Sequence, residues 1–197
     1  MEDIMKYFEY NAPVTLTFFL ISFGVLILSY ITRKKTDYFF SSERASLLNP
    51  FTWVRLFTHI FGHRDFVHFS NNFLKILLLG PMIEEKYGSI NFVVMIAICA
   101  FLTGVINYII GKYRILGASG IVFMLIALSA FVNMTDKIPL TLVFIILFYF
   151  IDELRSLFNK DGVSHYGHLI GAVCGVGFGF ISQNQPIIDF ILSFIKL

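Results

Sequence analysis

The sequence predicts an all-α membrane protein, a polytopic bundle of six transmembrane helices with a long interfacial first loop. Of its 197 residues, 57% are hydrophobic and only 14% charged, with 24 Phe and a mean hydropathy of +0.77, too apolar for a soluble domain. The apolar residues gather in runs near the roughly 20 that span a bilayer. Only one long polar connection, Arg33 to Asp65, interrupts them.

The runs are taken in chain order. Val14–Thr32 is uninterrupted. Phe66–Met82 carries His68, Asn71, Asn72 and Lys75, which lipid would not tolerate, so it belongs in the middle of the bundle. Ile90–Ile110 and Ile115–Met134 carry no charged residue. Ile138–Ile151 is short and must tilt or extend past its apolar core. Val163–Ile181 closes the set, with glycines along one face.

Inside the long connection, Asn49-Pro50 and the amphipathic Trp53-Val54-Arg55-Leu56-Phe57 suit a structured loop at the headgroup boundary. Gln183-Asn184-Gln185-Pro186 breaks the pattern after the sixth segment, and Ile187 to Ile195 is too short to span. Without internal repeats, the chain reads as a single transmembrane domain over residues 1–197, with a core at about 14–181 and a short tail at 182–197.

A formal net charge of +2 and the lack of a basic stripe or aromatic stacking array argue against a nucleic-acid partner. Cys99 and Cys174 both fall inside apolar runs and read as small buried hydrophobes. Met1 to Ala12 carries Glu2, Asp3, Lys6 and Glu9, unlike the basic start of a cleaved signal, so Val14–Thr32 is expected to remain in the mature protein.

Polar residues near the starts of segments two, four and six carry the functional argument. In a six-pass chain these segments run the same way, so His68, Ser119 and His168 should meet at similar depth below one surface. Ser119 lies in Gly117-Ala118-Ser119-Gly120, before an apolar helix. Small neighbours let a substrate approach, and a helix starting there aims unpaired N–H groups at the hydroxyl, as an oxyanion site requires. A capping serine between packing glycines would look the same.

His168 begins a helix with Gly171 and Gly175 on one face. That face permits the close approach needed to bring an imidazole to a serine on a neighbouring helix, or serves packing alone. His165 is placed nearer the surface and second to His168. His68 and Asn72 are four apart and share a helix face, so both can donate to one oxygen. His59 and His63 read as anchors of the interfacial loop.

These residues together resemble the rhomboid intramembrane serine proteases of the six-helix bacterial type, from about Trp53 to Gly179. The resemblance rests on Gly117, Ser119 and Gly120 for the nucleophile motif and on His168, Gly171 and Gly175 for the base motif. His68 and Asn72 correspond to the oxyanion pair. Arg55 and the turn from Glu84 to Gly88 match elements that look structural. Two positions depart: Phe123 stands where a Tyr is common, and Trp53-Val54-Arg55 interrupts a Trp-Arg pair.

The resemblance implies hydrolysis of transmembrane protein substrates within the bilayer by a Ser119–His168 dyad. His68, Asn72 and the Ser119 backbone N–H would hold the oxyanion, with no cofactor and no metal. No Asp or Glu lies in segments two, four or six near the site, so packing, with Phe123 as the candidate, must orient the imidazole. A substrate would enter sideways near segments two and five, where Gly80-Pro81 is a candidate loose point. The family's orientation puts the amino terminus in the cytoplasm of a bacterial inner (plasma) membrane.

On that topology Lys6, Lys86, Lys137 and Lys196 are cytoplasmic, whereas Arg33, Lys34, Lys35, Arg44, Arg55, Arg64, Lys112, Arg114, Arg155 and Lys160 lie opposite, against the positive-inside rule. The family's orientation is preferred, because six of these opposite cations sit in the one long loop. Two other readings compete. One is a non-catalytic rhomboid-like protein that binds or escorts membrane helices, although Ser119 and His168 are both kept. The other is a metal site built from His59, His63, His68, His165 and His168, although no His-Glu-x-x-His sequence is present.

Overall fold

The computed structural model describes residues 10–111, 114–134, 137–156, 165–183, 189 and 192–193. The expectations for Met1 to Glu9, for Val163 and for most of the tail at 182–197 lie outside the described residues, as do Lys6, Lys112, Lys160 and Lys196.

Regular structure among the described residues is helical. Helix α1 is Pro13–Ile31, α2 is Pro50–Thr58, α3 is Phe66–Tyr87 and α4 is Ser89–Ile110. Helix α5 is Ser119–Ser129, α6 is Leu140–Ile145, α7 is Ile151–Ser156 and α8 is His165–Ile181, and a π-helical turn, Ile146–Phe150, joins α6 to α7. Helices α1, α3 and α4 are long and apolar enough to cross a membrane, while α5 and α8 are apolar but shorter.

Local sequence explains where these helices start and stop. Pro13 and Pro50 sit at first helical positions, where a missing N–H costs nothing. The side chain of Asn49 accepts from Phe51 N at 3.0 Å and that of Asp65 from His68 N at 2.8 Å, capping α2 and α3. No residue of its own segment caps α1. The carboxylate of Glu84 does so from α3, accepting from Val14 N at 2.9 Å, Thr15 N at 3.0 Å and Thr15 Oγ1 at 2.9 Å. Glu84 also accepts from Ser89 Oγ at 2.7 Å, so one buried carboxylate ties α1 and α4 to the end of α3. Gly88, at φ 82°, makes the turn between α3 and α4.

Two segments differ from expectation, and the fifth extends past its apolar core as its shortness requires. The second runs through Pro81 to Tyr87, because Gly88 rather than Pro81 ends it. The fourth is shorter than Ile115–Met134. Ile115 is held in an isolated antiparallel bridge with Ser42, and Gly117 at φ 126° breaks the helical path, so α5 starts at Ser119. The fifth runs to Ser156, which carries Glu153 toward α8.

The long first loop is folded. Arg55 is buried and donates to Ser41 O at 2.6 Å and to Glu43 at 3.0 Å, beneath the ring of Tyr38. Arg114 donates to Ser41 Oγ at 2.7 Å, and Arg44 to the carbonyls of Tyr108 and Ile109 at the end of α4. These cations are spent on the loop's own architecture.

The core lies where α3, α4, α5 and α8 meet, around Phe73, Ile76, Met95, Cys99, Met124 and Leu125. Cys99 and Cys174 are buried free thiols, as their apolar setting predicts. The tightest helix pair is α5 with α8. A Cβ at Gly171 would stand 2.0 Å from Gly120 O, and one at Gly175 would stand 2.3 Å from Met124 O, so backbone meets backbone along this seam.

Candidate active site

The segment Leu116–Ala118 enters the bundle as irregular backbone, and the loop histidines hold it there. Gly117 N donates to His59 O at 2.9 Å, and Ala118 N donates to His63 Nε2 at 3.4 Å. His59 Nδ1 in turn lies 3.2 Å from Arg55 O. His59 and His63 are anchors, as the sequence suggests, and their target is the serine turn itself. Burial holds both imidazoles down at about 4, outweighing their carbonyl contacts; the charge of His68 adds to this at His63. Both therefore stay neutral, which His63 requires in order to accept from Ala118.

Ser119 is the first residue of α5. The first N–H groups of a helix have no carbonyl one turn back, so those of Ser119 and its neighbours point outward at its start. Gly117 lies against the two oxyanion candidates: a Cβ there would meet His68 Cε1 at 2.7 Å, His68 Nε2 at 2.9 Å and Asn72 Nδ2 at 3.7 Å. Asn72 Nδ2 and His68 Nδ1 are buried yet have no hydrogen-bond partner among the described residues. Such groups are costly to leave unpaired, and a substrate oxygen or water that reached them would satisfy them.

His168 lies in the first turn of α8, with its ring parallel to that of Phe123 from α5. The centroids are 4.4 Å apart and the interplanar angle is 7°. Phe123 thus occupies the stacking position without a hydroxyl. The seam from Gly120 to Gly171 places this imidazole on the side of α8 that meets the start of α5.

One acidic residue corrects the sequence reading that packing alone orients His168. Glu153, from α7, places Oε1 at 3.0 Å from His168 Nδ1, a close approach whose angle falls short of a hydrogen bond, and Oε2 at 2.6 Å from His165 Nδ1. His165 is as buried within the protein as His168, at 9% exposure. The signal that could have found Glu153 is an acidic pair, Asp152-Glu153, ending an apolar run one short connection before two histidines. The five histidines do not converge on one point. His59 and His63 hold the serine turn, His68 faces Gly117, and His165 and His168 flank Glu153.

Arg55 and Glu84, matched as structural elements, each make only architectural contacts, in the loop and at the α1 terminus.

The chain is similar to known proteins. Over 173 residues the chain is 27% identical to "Rhomboid protease GluP" of Bacillus subtilis (strain 168), covering 82% of this chain and 34% of that protein. It is 28% identical over 134 residues to "Rhomboid protease GlpG" of Salmonella paratyphi A (strain ATCC 9150 / SARB42), covering 64% of this chain and 48% of that one. With "Rhomboid-like protein 11, chloroplastic" of Arabidopsis thaliana it shares 25% identity over 151 residues, 68% of this chain and 54% of the relative. The chain thus spans between about a third and about half of the length of these curated relatives. The family model of the Rhomboid domain matches residues 50–185, the stretch that contains the serine turn, both oxyanion candidates and the imidazole pair, and the chain belongs to the rhomboid family.

Proposed function

We propose that this integral membrane protein is a serine endopeptidase that cleaves the transmembrane segments of other membrane proteins. The observation that carries the reading is the His168 ring held flat on Phe123 across the glycine seam from Ser119. A base is only useful if its ring is held in one orientation, and stacking restricts it at little entropic cost.

With Glu153 beside Nδ1, the proton of the neutral imidazole belongs on that nitrogen, which leaves the Nε2 lone pair for Ser119. Ser119 Oγ then attacks the scissile carbonyl carbon as His168 Nε2 takes its proton. The negative oxygen is received by the Ser119 N–H, Asn72 and His68. Collapse of the intermediate breaks the C–N bond, and His168 returns the proton to the leaving amine. Water, deprotonated by the same nitrogen, then releases the acyl group from Ser119.

Helical backbone is closed to such attack, because its carbonyls are hydrogen-bonded and sterically covered, so the substrate must unwind locally. Helix α3 and the stretch from α6 to α7 make no substantial packing contact among the described residues, leaving a flank for lateral entry. Gly80, by contrast, is packed on Thr15 of α1, and so offers no looseness at that end of α3. Six crossings follow if α5, α8 and the Leu140–Ser156 stretch each span with their flanking turns. The cations spent inside the first loop support a cytoplasmic amino terminus, and the two bacterial relatives support a bacterial plasma membrane.

The test is labelling of the detergent-solubilised protein with a fluorescent fluorophosphonate. Wild type labels, whereas Ser119→Ala and His168→Ala do not. A folded wild type that fails to label would leave the chain as a membrane-helix binding protein.

A further inference from the structure

We propose that Glu153, His165 and His168 form a divalent transition-metal site whose occupation switches the serine off. The inhibitory half rests on the Ser119–His168 reading above; the binding half does not.

The donor set is the one zinc takes. Each residue offers one ligand atom, and these atoms lie within 4.8 Å of one another. The two carboxylate oxygens each already approach one imidazole, Glu153 Oε2 at 2.6 Å from His165 Nδ1 and Glu153 Oε1 at 3.0 Å from His168 Nδ1. Ligands about 2.0–2.1 Å from a tetrahedral ion stand roughly 3.4 Å apart, so small side-chain rotations admit the metal. His165 and His168 are one helical turn apart on α8 and share a face, while the carboxylate comes from α7, so the site bridges two elements. The three side chains are only 10–13% exposed, and a carboxylate so enclosed favours a cation beside it. Three protein ligands leave a fourth position for water.

The consequence for catalysis follows from the tautomer. A neutral imidazole has one lone-pair nitrogen and one N–H. In the metal-free site the proton sits on His168 Nδ1 and the Nε2 lone pair serves Ser119. A metal taking the Nδ1 lone pair moves that proton to Nε2, and the ring can no longer accept from the serine. No net proton is gained or lost by the ring; the base is simply facing the wrong way. Without metal His165 contacts Glu153; it becomes a ligand only in the metal-bound state.

The experiment uses the full-length protein in detergent and zinc chloride as the probe. Zinc binding is measured by calorimetry on Ser119→Ala, and zinc dependence of fluorophosphonate labelling on the protein with Ser119 intact. His165→Asn is the informative variant, because the Asn amide nitrogen takes the place of Nδ1 and still donates to Glu153 but cannot ligate a metal. We expect one equivalent of zinc bound by the Ser119→Ala protein, with affinity falling at least about 10-fold when His165→Asn or Glu153→Gln is added. Zinc should slow labelling of wild type, whereas labelling of His165→Asn, whatever its rate without zinc, should lose that sensitivity. The proposal is overturned if the Ser119→Ala protein binds no stoichiometric zinc, or if His165→Asn binds zinc and is inhibited as wild type is. Stoichiometric binding that needs His165, with no labelling of wild type at all, would uphold the metal site and remove the protease reading.

Discussion

The rings of Phe123 and His168 lie 4.4 Å apart and within 7° of parallel, the contact by which α5 sets the orientation of an imidazole on α8. A ring that carries no hydroxyl therefore still restrains the base, and the loss of a Tyr at this position removes a hydrogen-bonding group and not the stack.

Replacing Phe123 by Ala should lower the rate of fluorophosphonate labelling about 10-fold, for the loss of roughly 1.4 kcal/mol of positioning. Phe123→Tyr should stay within about twofold of wild type. Equal rates in all three proteins would show that the stack does not orient the base.

Gly171→Ala should damage fold and activity together, because its methyl would stand 2.0 Å from Gly120 O and backbone on both sides must move. The expected loss is about 1–3 kcal/mol of stability, with labelling abolished as Ser119 and His168 part. Gly177→Ala, on the same helix with nothing within 4 Å, is the control and should be neutral or slightly stabilising. Thermal unfolding in detergent separates the two.

Glu84→Gln removes the charge that accepts from Val14 N, Thr15 N, Thr15 Oγ1 and Ser89 Oγ. Thermal unfolding should show a loss of about 1–3 kcal/mol. Labelling at a temperature well below the transition should be unchanged, since Glu84 touches no reacting group. A kinetic defect in the folded variant would contradict the architectural role.

Stability should fall as pH drops from about 6.5 to about 4. His59 and His63 have ordinary values of 6.5 in the unfolded chain and about 4 when folded, so above 6.5 both states are neutral and the full stability is present. Between the two values the unfolded chain takes protons that the folded one refuses. Each histidine then costs up to roughly 3 kcal/mol, complete once pH has passed through the folded value. The urea midpoint in detergent, measured across this window, should flatten in His59→Gln; an unchanged slope would show that His59 is not the group refusing the proton.

Much of the candidate site was legible because the chemistry proposed for it is written in short-range spacings. Ser119 between glycines, His168 ahead of Gly171 and Gly175, and His68 four residues before Asn72 each declare a local geometry that a helix preserves. The start of α5 was less legible, since a bridge to Ser42, far away in sequence, pulls Ile115 out of the apolar run. Glu153 was missed for a similar reason. Hydropathy marks where lipid contact stops, whereas the helix continues to Ser156 through backbone hydrogen bonds that polar residues satisfy equally well.

By itself the sequence determined that the chain belongs in a bilayer, where its long apolar helices lie, and which serine and histidines are candidates for chemistry. Burial of apolar residues and helical periodicity act over a few residues and survive without knowledge of the neighbours. Only the tertiary structure decided that His63 holds the serine turn, that Glu84 caps a helix some seventy residues before it, and that Glu153 stands between two imidazoles. Those contacts depend on how closely two helices approach and on which faces they turn to each other, quantities set by packing across the whole bundle and encoded in no single segment.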